Sequence, residues 1–268
     1  MMIESGRFTP QDVRTIYSRR SRIYGKTIAP MEFAYHLRAI EKAAFKPQEK
    51  VLEVAVGPGL AMTEIARKID PAVTVEGVDL SPGMLAVAQR NLAHAGVRHV
   101  HLSEMSASDL RFPDASFDVL YNGYMLDLIP LAQMPVILNE FKRVLKPGGR
   151  LVLLNMSKPD AAHKTMRERI YGYLPPQFLL YVLGGCRPVL MQTLVQEAGF
   201  RQVEREFLGG KFPSEIVTAF KPTDPARASY LRTQRSYWVV PLGRMIKSMG
   251  CFCFADGYIG IQKPNVLP

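Results

Sequence analysis

Two glycines and one aspartate carry the clearest chemical signal in the sequence. Gly57 and Gly59 directly follow the apolar run 51–56, and Asp79 ends the next apolar run, which begins at Val73. Glycines after a buried strand let the backbone approach a ligand closely, and the helix that follows adds its free N–H groups. An acid after the second strand accepts hydrogen bonds from ribose hydroxyls. The spacing therefore predicts a site for a cofactor that contains a ribose.

The third glycine of the dinucleotide-binding fingerprint is absent, because its position is occupied by Met62. That glycine belongs to the cradle for a pyrophosphate, so its absence argues against a nicotinamide dinucleotide. An adenosyl cofactor with a single ribose needs only the looser loop. The alternative is a buried strand, turn and helix without a ligand, which the spacing of Asp79 makes the weaker interpretation.

Strands and helices alternate around these residues. Short apolar runs predict strands, and apolar residues at helical spacing predict the helices between them. This alternation is typical of a mainly parallel sheet covered on both faces. The sequence therefore predicts an α/β fold with a doubly wound, mostly parallel seven-stranded sheet and helices on both faces. The predicted strands are 51–56, 73–78, 97–102, 117–122, 150–155, 201–208 and 214–220.

The charge balance is basic. Lys and Arg number 34 against 24 Asp and Glu, a net charge of +10, which suits an anionic partner. Three cysteines are too few for a disulfide framework. The start has no signal-peptide run, and no stretch approaches the ~18 apolar residues of a membrane span. We therefore expect a cytoplasmic protein.

We expect no metal site. The five histidines do not have the spacing of metal ligands, although His99 and His101 share one strand face. Cys251 and Cys253 form a pair that lacks two further ligands, with only Cys186 remaining. Structural cysteines are the simpler interpretation.

Four stretches in order resemble the motifs of class I S-adenosylmethionine-dependent methyltransferases. They are most similar to the ubiquinone/menaquinone-biosynthesis (UbiE-like) group, and the similarity covers roughly residues 12–222. It implies a Rossmann-like fold, S-adenosyl-L-methionine as cofactor, and methyl transfer to a lipophilic small molecule such as a quinone precursor. The stretches are VLEVAVGPGL, VEGVDLSPGMLAVAQ, SASDLRFPDASFDVLYNGYMLDLIP and LNEFKRVLKPGGRLVLLNMSKPD.

The resemblance also implies a domain organisation. Residues 1–222 form the methyltransferase domain, and 223–268 form a C-terminal basic extension that resembles nothing we can name. Within the domain, 1–47 are an N-terminal helical cover and 157–187 are a substrate-side insertion.

Carried over by position, the resemblance implies a set of cofactor-binding residues. Two of them depart from the family, which usually has Gly at Ala55 and Asp at Ser106. The serine is the weaker acceptor for the adenine amino group, so adenine recognition leans on the backbone of Ala107. The implied set is Glu53, Ala55, Gly57 and Gly59 under the methionine part, Asp79 at the ribose, Leu80 and Met84 flanking adenine, Ser106 and Ala107 at its amino group, and Asn122 beside the transferring methyl.

An acceptor that loses a proton needs a base. Tyr124 and Asp127 follow the fourth strand, and Tyr17 and Tyr24 come from the N-terminal cover, so these four are the candidates. Each has a structural alternative. Asp127 suits a helix N-terminus, and the two tyrosines of the cover suit helix packing.

Several functions and partners remain open. The alternatives are a phospholipid head-group N-methyltransferase, which shares the middle motifs, an RNA methyltransferase, and a protein that binds S-adenosylmethionine without transfer. No RNA-binding motif is visible, so we expect no nucleic acid partner. The basic stretch 14–26 and the apolar stretch 173–183 predict peripheral contact with an anionic membrane. The alternatives are that the basic stretch is a solvated helix face and that the apolar stretch is buried inside the domain. The oligomeric state stays open.

Overall fold

The computed structural model describes residues 10–27, 29–163, 165, 186–210, 212–223, 254–255 and 258–259. The chain divides into two compact units, Met1–Thr223 and Asp224–Pro268. The predicted apolar stretch 173–183 and nearly all of the basic extension lie outside the described residues. None of the helices in the described part is long and apolar enough to cross a membrane.

Seven strands of the first unit form one sheet in the order β3-β2-β1-β4-β5-β7-β6. β7 runs antiparallel to both its neighbours, and the other neighbouring pairs are parallel. The predicted doubly wound, mostly parallel sheet is confirmed. The strands are β1 (Val51–Val54), β2 (Val75–Asp79), β3 (Val100–Glu104), β4 (Phe117–Gly123), β5 (Leu145–Met156), β6 (Arg201–Leu208) and β7 (Ser214–Phe220). In the second unit, β8 (Phe254–Ala255) pairs with β9 (Tyr258–Ile259).

Helices cover both faces of the sheet. Because side chains alternate along a strand, the adjacent Val51 and Leu52 of β1 belong to hydrophobic clusters on opposite faces. One cluster includes Phe141 of α5, and the other includes Ile40 of α2. The helices are α1 (Pro10–Thr27), α2 (Ala29–Ala43), α3 (Leu60–Ala66), α4 (Pro82–His94), α5 (Met134–Val144) and α6 (Met191–Glu197), with 3-10 turns at Leu126–Leu128 and Leu131–Gln133.

Two of the strand boundaries that differ from the sequence prediction have a clear physical reason. β1 ends at Val54, two residues early, because Ala55 adopts a φ of 62° that breaks the extended backbone. β5 begins at Leu145, five residues before the predicted start of the strand at residue 150. This segment is paired, since Gly148 donates to Lys221 and Lys221 donates to Gly149.

The turn between β1 and α3 depends on close packing at Gly59. This residue has a φ of 81°, and a Cβ there would lie 2.9 Å from the Cβ and 3.0 Å from the Cα of Ala88 in α4. Gly96 has a similar φ of 73°, but a Cβ there would meet nothing within 4 Å. Substitutions at these two positions therefore distinguish the cost of backbone strain from the cost of steric overlap.

Gly59→Ala is expected to lower the free energy of unfolding more than Gly96→Ala. Both changes force a side chain into the left-handed region, at roughly 1–2 kcal/mol. Only Gly59→Ala adds overpacking, at roughly 1–3 kcal/mol, because the Ala88 backbone must move. Urea unfolding of both variants measures the difference, and equal losses would contradict the packing role of Gly59.

Candidate functional site

A cavity of about 390 Å³ opens where β1, β2 and β4 end. Open α/β sheets bind ligands at the carboxyl ends of their strands, at this point of the strand order. Helices α1 and α2 supply further parts of its wall, including Tyr17 and His36. The sheet therefore places the residues that follow three different strands around one space.

Asp79 connects two loops of the cavity wall. Its Oδ2 accepts a hydrogen bond from the backbone N–H of Gly57, and its Oδ1 accepts from the N–H of Ser81, both at 2.8 Å. Burial raises the pKa of Asp79 to about 6, although these backbone hydrogen bonds act to lower it. A carboxylate oxygen has two lone pairs, so both oxygens keep capacity for a ligand's hydroxyl groups.

Glu53 is a second acid on the wall. It is buried on β1, and its Oε2 has no hydrogen-bond partner among the described residues. Burial, followed by the negative charge of Asp79, raises the pKa of the Glu53 carboxyl well above its ordinary value. A buried carboxylate oxygen without a partner is costly, so this position suits a ligand that brings a donor or a positive charge.

Most of the other predicted cofactor residues also line the cavity. Ala55, Leu80, Met84, Ser106 and Ala107 all lie on its wall. The positive φ of Ala55 favours glycine, which the family usually has there. The Ser106 hydroxyl is 2.8 Å from the hydroxyl of its neighbour Ser108, so it is engaged locally.

Two of the predicted cofactor residues do not line the cavity. Gly59 is packed against Ala88, as described above. Asn122 is fully buried in β4, and its side-chain amide donates to the carbonyl of Val54 at 2.8 Å. Both residues therefore support the β1 end of the cavity from behind, which differs from the contacts that their motif positions predict.

Two of the predicted proton acceptors, Tyr124 and Tyr17, are poorly suited to that role. Tyr124 lines the cavity, but burial raises the pKa of its phenol, whose oxygen lies 2.8 Å from the hydroxyl of Ser214. Tyr17 also lines the cavity, and burial followed by the nearby thiol of Cys186 raises its pKa well above the ordinary value. A phenol that keeps its proton is a donor, not a base.

Asp127 and Tyr24 are placed differently. Asp127 is fully buried and not on the cavity wall, and its Oδ2 accepts from the backbone N–H of Met156 at 3.1 Å. This carboxylate joins the segment after β4 to the end of β5. Its role is therefore structural, which is the kind of role that the sequence offered as the alternative to catalysis. Tyr24 belongs to α1, and its side chain lies outside the described residues.

Sequence reasoning missed two residues of α2 that line the cavity. Glu32 is buried, and His36 stands one helical turn later on the same side of the helix. Their spacing of four residues is the signal that could have found them. The described residues hold no group of three or more side chains arranged to bind a metal ion.

The segment after β4 and the first turn of α5 make the cavity wall apolar on that side. This apolar surface includes Val136, which is 56% exposed. The apolar residues of this wall are Met125, Leu128, Ile129, Val136 and Ile137. The cavity therefore has an acidic wall at Glu53 and Asp79 and an apolar wall, with Tyr124 beside Met125.

The chain matches a known family over residues 51–149, described as a methyltransferase domain. It is 36% identical over 199 residues to a demethylmenaquinone methyltransferase of Symbiobacterium thermophilum, covering 65% of this chain and 77% of the relative. It is 31% identical over 169 residues to a 2-phytyl-1,4-naphtoquinone methyltransferase of Synechococcus elongatus, covering 60% and 71%.

A solved structure supports the fold alone. The [4+2]-cyclase SpnF aligns with a TM-score of 0.66 at 18% identity, covering 81% of this chain and 98% of that chain. The two sequence relatives carry the family assignment, because each is more than 30% identical to this chain and more than two thirds of each is covered. The chain belongs to the UbiE-like group of class I methyltransferases and is an S-adenosylmethionine-dependent enzyme.

Proposed function

We propose that the enzyme methylates a lipophilic quinone precursor, a hydroxylated aromatic ring carrying an apolar chain. The observation that carries this proposal is the cavity itself, in which an apolar wall made by residues 125–137 faces the same space as the acidic wall. Buried apolar surface favours an apolar acceptor by ~25 cal/mol per Å². The names of the two quinone-methylating relatives support the same substrate class.

The acidic wall suits S-adenosylmethionine. Asp79 has lone pairs for two ribose hydroxyls, and Glu53 offers a buried oxygen without a partner to the methionine ammonium. Leu80 and Met84 supply apolar surface for the adenine. When bound, this cofactor supplies a methyl group on a positively charged sulfur. The chain's residues bind it, orient the acceptor and exclude water.

A head-group amine is the second candidate acceptor. Glu32 is a buried carboxylate on the cavity wall, and the rings of Tyr17 and Tyr124 line the same cavity. A carboxylate together with aromatic faces is a combination that binds ammonium groups. The polar patch formed by these residues is the one observation that favours an amine over a quinol.

Methyl transfer from labelled S-adenosylmethionine distinguishes the candidates. We expect label in a reduced, short-chain demethylmenaquinol and none in phosphatidylethanolamine or RNA. Label in phosphatidylethanolamine alone would contradict the quinol and support the amine. Binding of S-adenosylmethionine by calorimetry without transfer to any of the three would point to a protein that binds the cofactor only.

Asp79→Asn is expected to weaken S-adenosylmethionine binding at least ~10-fold, since charge-assisted hydrogen bonds contribute ~1.5–3 kcal/mol. In the protein without ligand the Asp79 carboxyl has a pKa of about 6, and hydrogen bonds from the ribose hydroxyls favour its ionised form. Wild-type affinity should therefore be constant above pH 6 and fall as the pH drops below it, whereas the variant should lose this dependence. Calorimetry from pH 5 to 8 measures both.

Asp70→Asn is the matched control. Asp70 also accepts from the backbone N–H two residues later, that of Ala72, but it lies outside the cavity wall. Its variant should bind S-adenosylmethionine as the wild type does. An unchanged affinity in a folded Asp79→Asn protein would place the ribose elsewhere.

We also propose that the enzyme contacts anionic membrane surfaces, where a lipophilic acceptor resides. Helix α1 carries the basic stretch, in which Arg19 is exposed while Arg14 is paired with Glu104 at 2.6 Å. Val13 and Tyr17 of the same helix line the cavity. A basic residue near an anionic surface contributes ~1 kcal/mol, so the helix that borders the cavity is suited to this contact.

Charge reversal at Arg19, Arg20 and Arg22 should reduce co-sedimentation with anionic vesicles, and salt should reduce it in the wild type. The control reverses three exposed basic residues outside α1, Lys68, Arg90 and Arg98. Equal losses in the two variants would reduce the effect to net charge. No co-sedimentation of the wild type at low salt would refute the proposal.

A further inference from the structure

His36 is held firmly on the cavity wall. Its Nδ1 lies 2.8 Å from the hydroxyl oxygen of Tyr121. Its ring meets that of Tyr124 edge to face, with the centroids 5.4 Å apart and an angle of 72°. A Cβ on Gly123 would lie 2.5 Å from Cε1 of the imidazole, so glycine at the end of β4 makes room for the ring. The contacts fix both the position and the orientation of the imidazole.

The Tyr121 contact determines which ring nitrogen carries the proton. Tyr121 is fully buried, and burial raises the pKa of its phenol well above the ordinary value, so the hydroxyl keeps its proton. Nδ1 of His36 is the one hydrogen-bond partner of that hydroxyl in the described part of the chain. The phenol therefore donates, and Nδ1 accepts.

A neutral imidazole that accepts at Nδ1 carries its proton on Nε2. Burial lowers the pKa of His36 to about 4, so the ring is neutral at physiological pH. No hydrogen-bond partner for Nε2 is present among the described residues, and the ring lines the cavity. A fixed N–H donor on the wall of a largely apolar cavity is completed by an acceptor atom of the ligand.

The other polar groups that α2 and β4 bring to this region do not replace that donor. Glu32 stands one turn earlier on α2 and is an acceptor when ionised. The hydroxyl of Tyr124 is engaged with that of Ser214 at 2.8 Å. Tyr121 lies beneath the imidazole and already donates to it. His36 is therefore the neutral donor that α2 and β4 together place at the cavity.

We propose that Nε2 of His36 donates a hydrogen bond to a ring oxygen of the acceptor, so that the enzyme binds hydroxylated aromatic rings in their ionised form. This inference rests on the proposed function. When a ring carbon is methylated, a C–CH3 bond replaces a C–H bond, the S–CH3 bond breaks with its electron pair going to sulfur, and the ring proton passes to water. An ionised ring oxygen supplies electron density to that carbon, and the donor at His36 stabilises the ionised oxygen.

His36→Leu is expected to lower kcat/KM for the demethylmenaquinol at least ~10-fold while the dissociation constant of S-adenosylhomocysteine changes less than about twofold. His36→Gln, which keeps an N–H donor on the side chain, should recover part of the loss. His94→Leu makes the same change at an exposed histidine of α4 and should behave as the wild type. A folded His36→Leu protein with wild-type kcat/KM would refute the proposal.

The pH profile separates hydrogen bonding from packing. If His36 favours the ionised hydroxyl of the bound acceptor, the rise of kcat with pH should move to higher pH in His36→Leu, by about one unit for a tenfold effect. A uniform loss at every pH, without that shift, would indicate packing alone and would contradict the proposal.

Nitrogen NMR of labelled histidine tests the donor without turnover. We expect the His36 signal of the wild type to be that of a neutral ring protonated at Nε2, and Tyr121→Phe to shift it toward a mixture of tautomers. Protonation at Nδ1 would refute the proposal whatever the substrate. If the wild type fails to methylate the quinol, the proposed function fails by itself, and the NMR result still decides the tautomer.

Discussion

The site depends on the two backbone hydrogen bonds that the Asp79 carboxylate accepts. One comes from Gly57 in the loop after β1 and one from Ser81 at the start of α4. They join the ends of β1 and β2 into one wall, and they hold a half-buried carboxyl whose pKa burial raises to about 6. The carboxylate thus shapes the loop and keeps capacity for a ligand.

The cavity combines this wall with surfaces from elements far apart in sequence. Helices α1 and α2 close it on one side, and the segment from Met125 to Ile137 closes it on another. Burial keeps the phenols of Tyr17 and Tyr124 protonated and His36 neutral. These three side chains are therefore neutral, which suits catalysis that orients two reactants and excludes water more than one built on a strong base.

The sequence predicted the sheet and the residues after β1 and β2, because these depend on local patterns. Apolar runs mark the buried strands, and the glycines and Asp79 follow them at fixed spacing. The prediction was less accurate where long-range pairing decides, as at residues 147–149, which pair with Lys221. The spacing of Glu32 and His36 places them on one side of a helix, but that this side faces the cavity depends on long-range contacts such as that of His36 with Tyr121, 85 residues away. The positions of Asn122 and Asp127 likewise follow from contacts with Val54 and Met156.

The claim that the acidic wall binds the cofactor and the apolar wall binds the acceptor is tested most directly by a crystal structure with S-adenosylhomocysteine and a demethylnaphthoquinol. We expect the ribose at Asp79, the methionine part beside Glu53, and the aromatic ring against Met125 and Ile129. Its reacting carbon should lie near the sulfur, with a ring oxygen within hydrogen-bond distance of His36. A cofactor bound away from Asp79, or a quinol bound outside the apolar wall, would contradict the account.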